Sequence, residues 1–247
     1  VIFYHGQAYS QSLSLSLFGN KFGGGFIGVD IFYVISGYLI TSIIFKELKV
    51  TGKFSFLHFY ERRARRILPA LFFIMLASLP FSWIYLIPTS LIDFSESILY
   101  AIGFSSNFYF HYSGLEYAGP DSLLQPFLHT WSLSIEEQYY IIFPICLILF
   151  FNFFKKYIIH LLIFGFIISL VGANWASYNH PSLNFYILPT RGWELLAGSV
   201  LAYLEIQKGN RSSSKLFNQI FPFLGIFFIG LYIFLFDNTI NHPSFFT

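Results

Sequence analysis

Residues 67–87 form an apolar run of membrane length that contains no charged side chain. A helix needs about 20 mostly apolar residues to cross the hydrocarbon core of a bilayer. Within lipid every backbone polar group must be bonded internally, so only helices and closed barrels can span it. Barrel strands alternate apolar and polar residues, and this run does not alternate. The run therefore predicts a transmembrane helix.

Further runs of similar length predict a polytopic membrane protein. They lie at residues 26–45, 134–154, 157–174, 185–204 and 217–236. With a shorter segment at 95–110, the sequence predicts an all-α transmembrane helix bundle of about seven or eight membrane segments. The chain opens at Val1 within an apolar stretch. We therefore expect a fragment that begins inside a first helix and is truncated at both ends.

Composition supports this class and excludes others. Hydrophobic residues make up 55% of the chain and charged residues only 11%, whereas a soluble domain carries about 25% charged residues. The net charge of +2 is too small to indicate a nucleic-acid partner. The single cysteine, Cys146, lies within an apolar run, which excludes a disulfide framework and a zinc cluster. We expect no bound metal.

The distribution of lysine and arginine predicts the orientation. The segment at 46–66, a loop or surface helix, holds seven of the fourteen basic residues, and the loops at 155–156 and 205–218 add two and three. Short basic loops stay on the cytoplasmic side of a membrane. All three loops share that side only if residues 95–110 do not cross fully, so we predict that this segment is re-entrant or lies along the outer face. A full crossing is the alternative, and it would place five basic residues outside.

The stretch HTWSLSIEEQYYIIFP at 129–144 carries carboxylates at the edge of a membrane run, where charge is costly and typically functional. Ser134 and Glu137 fit the S-x-x-E capping box of a helix start. Capping explains Glu137 and leaves Glu136 and His129 without a structural reason. Both are therefore candidate functional residues, which we place on the outer face, opposite the basic loops.

Two other membrane runs contain charges. Asp30 has no Lys or Arg within seven residues, so it must pair with a distant cation or face a polar cavity. Arg191 and Glu194 are three residues apart and can neutralise each other along a helix. Interfacial placement of Asp30 and a structural ion pair between the other two are the alternatives to a functional site.

Four arginines, Arg62, Arg63, Arg65 and Arg66, precede the run at 67–87. They can hold the orientation of the helix by contacting anionic lipid. They can also bind phosphate, because each guanidinium presents a fork of donors. Helical spacing predicts that Arg62, Arg65 and Arg66 share a face and that Arg63 points elsewhere.

His5 ends the apolar stretch at the beginning of the chain. It can be an interfacial histidine at a helix end. It can also be a general base, because histidine is the side chain whose ordinary pKa suits proton transfer near neutral pH. The sequence around His5 leaves both interpretations open.

Five blocks in a fixed order carry a resemblance to a known family. They are FYH (3–5), GGFIGVDIFYVISGYLIT (24–41), FYERRARRILPAL (59–71), HTWSLSIEEQYYIIFP (129–144) and YILPTRGWELLAG (186–198). Together they resemble the acyltransferase-3 family of integral membrane acyltransferases, which includes bacterial O-antigen (lipopolysaccharide) and exopolysaccharide O-acetylases. The resemblance implies that residues 1–247 are part of a single membrane acyltransferase domain of about ten helices.

The resemblance also implies an activity. In that family an acyl group, usually acetyl, passes from acyl-CoA to a hydroxyl of a cell-surface or lipid-linked saccharide, in the bacterial inner (plasma) membrane. The histidine that ends the first helix is catalytic in the family, and His5 matches it. The basic motif is linked to acyl-CoA, which makes Arg62, Arg65 and Arg66 the residues expected to bind the acetyl-CoA co-substrate.

These observations combine into one mechanistic hypothesis. His5, oriented by a carboxylate such as Glu136 or Asp30, removes the proton of the acceptor hydroxyl. An acyl-His5 intermediate is a variant. The predicted saccharide site comprises Asp30, His129, Trp131, Arg191 and Glu194. The rival hypothesis is a transporter or flippase of a glycan or lipid-linked substrate, which also has buried charges but does not require an arginine cluster at a helix end.

Overall fold

The structure is a computed structural model that describes residues 27–113, 125, 127–208, 215–235 and 242–244. These residues form nine α-helices and one 3₁₀ turn and contain no strand, so the predicted all-α class is confirmed. The helices are α1 (Ile27–Thr51), α2 (Phe56–Tyr85), α3 (Pro88–Ile102), α4 (Ser106–Tyr112), α5 (Thr130–Phe154), α6 (Ile158–Asn179), α7 (Pro181–Tyr186), α8 (Leu188–Lys208) and α9 (Lys215–Leu235). His5 and the polar segment at 6–25 lie outside the described residues.

Three helical stretches are long and apolar enough to cross a membrane. They are α1, α2 and the stretch Thr130–Asn179, which contains α5, the 3₁₀ turn at Lys155–Tyr157, and α6. A shorter apolar segment, Asn218–Ile233, lies within α9. The predicted spans at 26–45 and 134–154 therefore coincide with α1 and α5, each of which extends a few residues further.

Helix α2 starts eleven residues before the predicted span at 67–87, because a helix can extend beyond the apolar run that it contains. Ser55 caps the helix, its Oγ accepting a hydrogen bond from the His58 N–H at 3.4 Å. Arginine is a good helix former, so the polar first half continues smoothly into the apolar second half. The four arginines consequently lie inside α2 and not in a loop before it.

Residues 88–112 form two short helices and not one span. Pro88 occupies the first turn of α3, where its missing N–H leaves no donor unpaired. The chain breaks between α3 and α4, where Phe104 adopts a left-handed φ of 49°. Gln138 of α5 donates from Nε2 to the Phe104 carbonyl at 2.9 Å. This bond satisfies a carbonyl that a continuous helix would have paired internally.

Helices α1 and α5 run in the same direction. Near the start of both, the Tyr33 hydroxyl donates to the Ser132 carbonyl at 3.3 Å. One turn later, Ser36 Oγ donates to Glu136 Oε1 at 2.5 Å. The contacting residues move in the same direction along both helices, so the two helices are parallel.

Helix α8 is parallel to α1 as well. Arg191, in its first turn, contacts Asp30 of α1, and the Lys49 ammonium at the other end of α1 donates to the Ile206 carbonyl at 2.5 Å. We call the end of the bundle at which α1, α5 and α8 begin the Asp30 end. Since α1 leaves this end and α2 returns towards it, the segment between α2 and α5 starts and finishes there. This geometry agrees with the prediction that residues 95–110 do not cross the bundle fully.

Two glycines allow the backbones of α1 and α8 to touch. A Cβ added to Gly37 would overlap the Leu195 carbonyl oxygen, and one added to Gly198 would overlap the Val34 carbonyl oxygen. Small residues permit such close approach in membrane bundles, where packing rather than the hydrophobic effect holds helices together. The crossing fixes the register between α1 and α8, and with it the position of the charged residues on both.

Candidate active site

A cavity of about 300 Å³ lies between α1, α2 and α5. Its polar lining is Ser36, Arg63, Arg66, Ser132, Glu136 and Tyr140. Apolar side chains from the same three helices complete the wall. A concave, mainly apolar site with a few convergent polar groups is the usual form of a ligand site.

Glu136 is the acid of this cavity. It is only 4% exposed and lies six residues after the first residue of α5, or about 9 Å along the helix axis. Ser36 donates to its Oε1, and the positive charge of Arg63 acts on it from α2. Glu136 therefore lies well inside the bundle and not at the mouth of the membrane run.

The capping box predicted for Ser134 and Glu137 is wrong. Helix α5 begins at Thr130 and has no side-chain cap, so Ser134 is already in the second turn, where its Oγ donates to the Thr130 carbonyl at 3.1 Å. Glu137 is buried, and its Oε1 has no hydrogen-bond partner among the described residues. Glu137 is thus a second buried carboxylate beside the cavity, without a structural reason of its own.

The arginines divide into two pairs. Arg63 and Arg66 line the cavity, and the Arg63 guanidinium lies 3.9 Å above the ring centre of Tyr140. Arg65 is 79% exposed and pairs with Glu61 at 2.7 Å. Arg62 points outward too, 3.9 Å from Glu47.

The predicted sharing of a face by Arg62, Arg65 and Arg66 is therefore wrong, because the buried ring of Phe59 sets the inner face of α2. Arg63 and Arg66 follow Phe59 at helical spacings of four and seven and so lie on its side of the helix. The predicted separation of the arginines from the 129–144 stretch is also wrong, since Arg66 and Glu136 line the same cavity.

A second charged cluster lies at the Asp30 end. Arg191, which is 1% exposed, donates from Nη1 to Asp30 at 2.8 Å and to Glu194 at 2.9 Å. Its Nε donates to the Phe185 carbonyl at 3.3 Å. The predicted ion pair between Arg191 and Glu194 is present, and Asp30 of α1 extends it between helices.

His242 joins this cluster from the segment after α9. His242 Nε2 lies 3.0 Å from Arg191 Nη1 and 3.3 Å from Asp30 Oδ2. Burial lowers the pKa of His242, and the Asp30 carboxylate opposes this shift. The imidazole therefore lies between a cation and an anion.

Of the other two residues predicted for a saccharide site, Trp131 packs against this cluster and His129 lies at the surface. Trp131 is 1% exposed, and its ring packs 4.6 Å from that of Phe185 and 5.6 Å from the Arg191 guanidinium. Its faces are therefore occupied by the protein in this conformation. His129 immediately precedes α5 and is exposed.

Among the described residues, no group of three or more His, Cys, Asp or Glu side chains is arranged to hold a metal ion. The cavity instead offers a carboxylate, hydroxyls and two guanidinium groups inside a membrane bundle. Comparison with known proteins decides the family. A sequence profile described as an acyltransferase domain, that of the acyltransferase-3 family, matches residues 1–247.

The chain belongs to the acyltransferase-3 family.

Relatives in this acyltransferase family include named enzymes. The O-acetyltransferase OatA of Staphylococcus aureus (strain NCTC 8325 / PS 47) is 36% identical over 187 residues, 73% of this chain and 30% of the relative. The peptidoglycan O-acetyltransferase OatA of Listeria monocytogenes serovar 1/2a is 33% identical over 188 residues, with the same coverage. The chain thus spans about 30% of the length of these two enzymes.

One relative is similar in extent to this acyltransferase-family chain. An uncharacterized protein of Haemophilus influenzae is 38% identical over 225 residues, which are 86% of this chain and 89% of that protein. No solved structure gives a significant match. The family is therefore established by sequence, and the geometry of the cavity by the present structure.

Sequence reasoning missed four residues that the structure of this family member brings into the two clusters: Ser36, Arg63, Tyr140 and His242. The spacing of Arg63 from the aromatic Phe59 was a usable signal, because it places both on one face of a helix. Nothing in the sequence marks His242, because its contact with Arg191 joins residues 51 positions apart.

Proposed function

We propose that this protein is an O-acyltransferase that moves an acyl group, most simply acetyl, from acyl-CoA to a hydroxyl of a surface saccharide. Family membership and relatives named O-acetyltransferases support the reaction class. The name of the Listeria relative supports a glycan such as peptidoglycan as the acceptor. The apolar helices favour a site within a membrane, which we propose is the bacterial inner membrane.

The observation that carries the proposal is the cavity that brings Glu136 together with two arginines. Guanidinium groups bind phosphate oxygens with charge-assisted hydrogen bonds, so Arg63 and Arg66 would hold the phosphates of acyl-CoA. The apolar wall of the cavity suits the thioester arm. Arg62 and Arg65, which point outward, then serve the orientation of α2 in the membrane.

We propose that the transfer itself uses a base, His5, and a carboxylate, Glu136. His5 takes the proton of the acceptor hydroxyl, whose oxygen attacks the thioester carbonyl. The carbon–sulfur bond then breaks, and the CoA thiolate leaves and takes up a proton. Glu136 stabilises the protonated base or orients it. Asp30, Arg191 and Glu194 support the acceptor side by fixing α1 to α8.

The decisive experiment compares Glu136→Gln and His5→Ala with wild type in the intact protein. Surface glycans are analysed by mass spectrometry, and expression is checked by immunoblot. A general acid or base contributes about 100-fold or more to the rate, so either substitution should abolish detectable O-acetylation. Arg65→Gln serves as the matched control. The proposal is rejected if both variants acetylate the glycans normally. It is also rejected if glycan O-acetylation is the same with and without the wild-type protein, and a transporter is then the better hypothesis.

A further inference from the structure

The hydroxyl of Ser36 has an unusual partner. Serines in the apolar helices of this protein commonly bond a carbonyl of their own helix: Ser82 donates to the Ser78 carbonyl at 2.9 Å and Ser95 to the Leu91 carbonyl at 2.7 Å. This is the local solution expected for serine inside a helix. Ser36 instead donates to Glu136 Oε1 on another helix at 2.5 Å.

The contact between Ser36 and Glu136 is buried and lies at the cavity. Ser36 is 5% exposed and Glu136 4%, and both line its wall. A hydrogen bond to a charged group is among the stronger ones in proteins, and it gains strength away from water. The bond therefore restricts the carboxylate of Glu136 to few orientations.

The position of Ser36 is itself fixed. Its neighbour Gly37 lies against the Leu195 backbone of α8, so α1 can neither slide nor rotate freely there. On the opposite wall of the cavity, Arg63 supplies a positive charge that acts on Glu136. The carboxylate is thus held by a hydroxyl from α1 and faces a cation from α2.

We infer that Ser36 is a positioning residue: its bond to Oε1 of Glu136, together with a side-chain hydrogen bond from Tyr140, holds the carboxylate in place at the cavity. The inference rests on the O-acyl transfer proposed above. A carboxylate that is misplaced by about 1 Å can lose about a hundredfold in rate. Ser36 does not react in this scheme, because it only orients the group that takes part.

The activity test uses membranes from cells that express the intact protein, with radiolabelled acetyl-CoA and the endogenous glycan as acceptor. Ser36→Ala should lower the maximal rate by about tenfold to a hundredfold and leave the half-saturating acetyl-CoA concentration unchanged. Ser36→Thr, which keeps the hydroxyl, should restore most of the rate. Ser177→Ala is the matched control, because Ser177 is also buried but bonds only its own helix, at the Asn174 carbonyl.

A second measurement does not need turnover. The infrared carboxyl band of Glu136, assigned by its loss in Glu136→Gln, should move in Ser36→Ala and return in Ser36→Thr. If wild type transfers no acetyl group, the proposed function fails, and this band still decides the role of Ser36. A Ser36→Ala variant with the wild-type rate or an unmoved band would overturn the inference. An acyl group found on Ser36 by mass spectrometry would overturn it too, by making Ser36 a nucleophile.

Discussion

The protein contains two buried clusters that each combine carboxylates with arginine, and they differ in what surrounds the guanidinium. At the Asp30 end, Arg191 is 1% exposed and is bound by Asp30, Glu194, His242 and a backbone carbonyl. In the cavity, Arg63 stacks on Tyr140 and borders about 300 Å³ of open space. The cavity combines a buried carboxylate with open volume, which makes it the candidate ligand site, whereas the charges at the Asp30 end face one another.

The two clusters therefore have different energetic roles. Removing one partner from a fully buried ion pair leaves an uncompensated charge, which is costly. A cation at a cavity wall keeps donors for a ligand and contributes less to folding. We expect the Asp30 end to govern stability and the cavity to govern activity, and three experiments separate these roles.

The largest effect is expected for Arg191→Ala. It leaves Asp30 and Glu194 buried without their cation, which should destabilise the fold by about 3–5 kcal/mol. Fluorescence-detected size exclusion and thermal melting in detergent measure the loss of folded protein. Arg66→Ala, which removes an arginine from the cavity wall, is the control and should melt close to wild type. Equal melting temperatures for the two variants would contradict the proposal that the Asp30 end, and not the cavity, governs stability.

A smaller effect is expected within the arginine motif. Arg63→Gln should raise the half-saturating acetyl-CoA concentration about tenfold to a hundredfold, because one charge-assisted hydrogen bond contributes about 1.5–3 kcal/mol. Arg65→Gln should change it less than about twofold, since an exposed i,i+4 pair is worth only a few tenths of a kcal/mol. Radiolabelled acetyl transfer in membranes measures both. The reverse order would place the donor site outside the cavity.

The smallest effect concerns pH at the Asp30 end. Burial lowers the pKa of His242, so protonation is less favourable in the folded than in the unfolded state. Its contribution to stability is complete above the ordinary histidine pKa of about 6.5 and is lost as the pH falls below it. The melting temperature of wild type relative to that of His242→Gln should therefore fall between about pH 7.5 and pH 5.5. His242→Gln should lose less over that interval, and identical slopes would show that His242 does not carry the effect.

The fold was largely predictable because its main constraint is local. A membrane run must form a helix, so α1, α5 and α6 lie where the apolar runs place them. The beginning of α2 was not predictable from the apolar run, because the arginines before it are good helix formers. The break near Phe104 is likewise not visible in hydropathy, since it depends on the bond from Gln138 of another helix.

The site was less predictable, because it depends on how helices are rotated and which of them meet. Glu136 was predicted as a functional residue because a carboxylate in a membrane run is costly. Its partner Ser36 was not predicted, because it is 100 residues away in the chain. Helical spacing was used to leave Arg63 out of the predicted phosphate-binding face, but the same spacing rule pairs Arg66 with Arg63 as well as with Arg62. The burial of Phe59 shows which of these two faces of α2 points into the bundle. The capping motif at Ser134 matched by chance, because the helix starts one turn earlier, at Thr130.

Gly37 packs on the Leu195 backbone of α8 and Gly198 on the Val34 backbone of α1, so the two glycines define one close crossing of these helices. Asp30 precedes Gly37, and Arg191 precedes Gly198, by seven residues each, or about 10 Å of helix. Ser36 lies beside this crossing, which is the point of α1 that a tilt of α8 displaces least. The acid in the cavity is therefore held from the part of α1 where relative motion of the two helices is smallest.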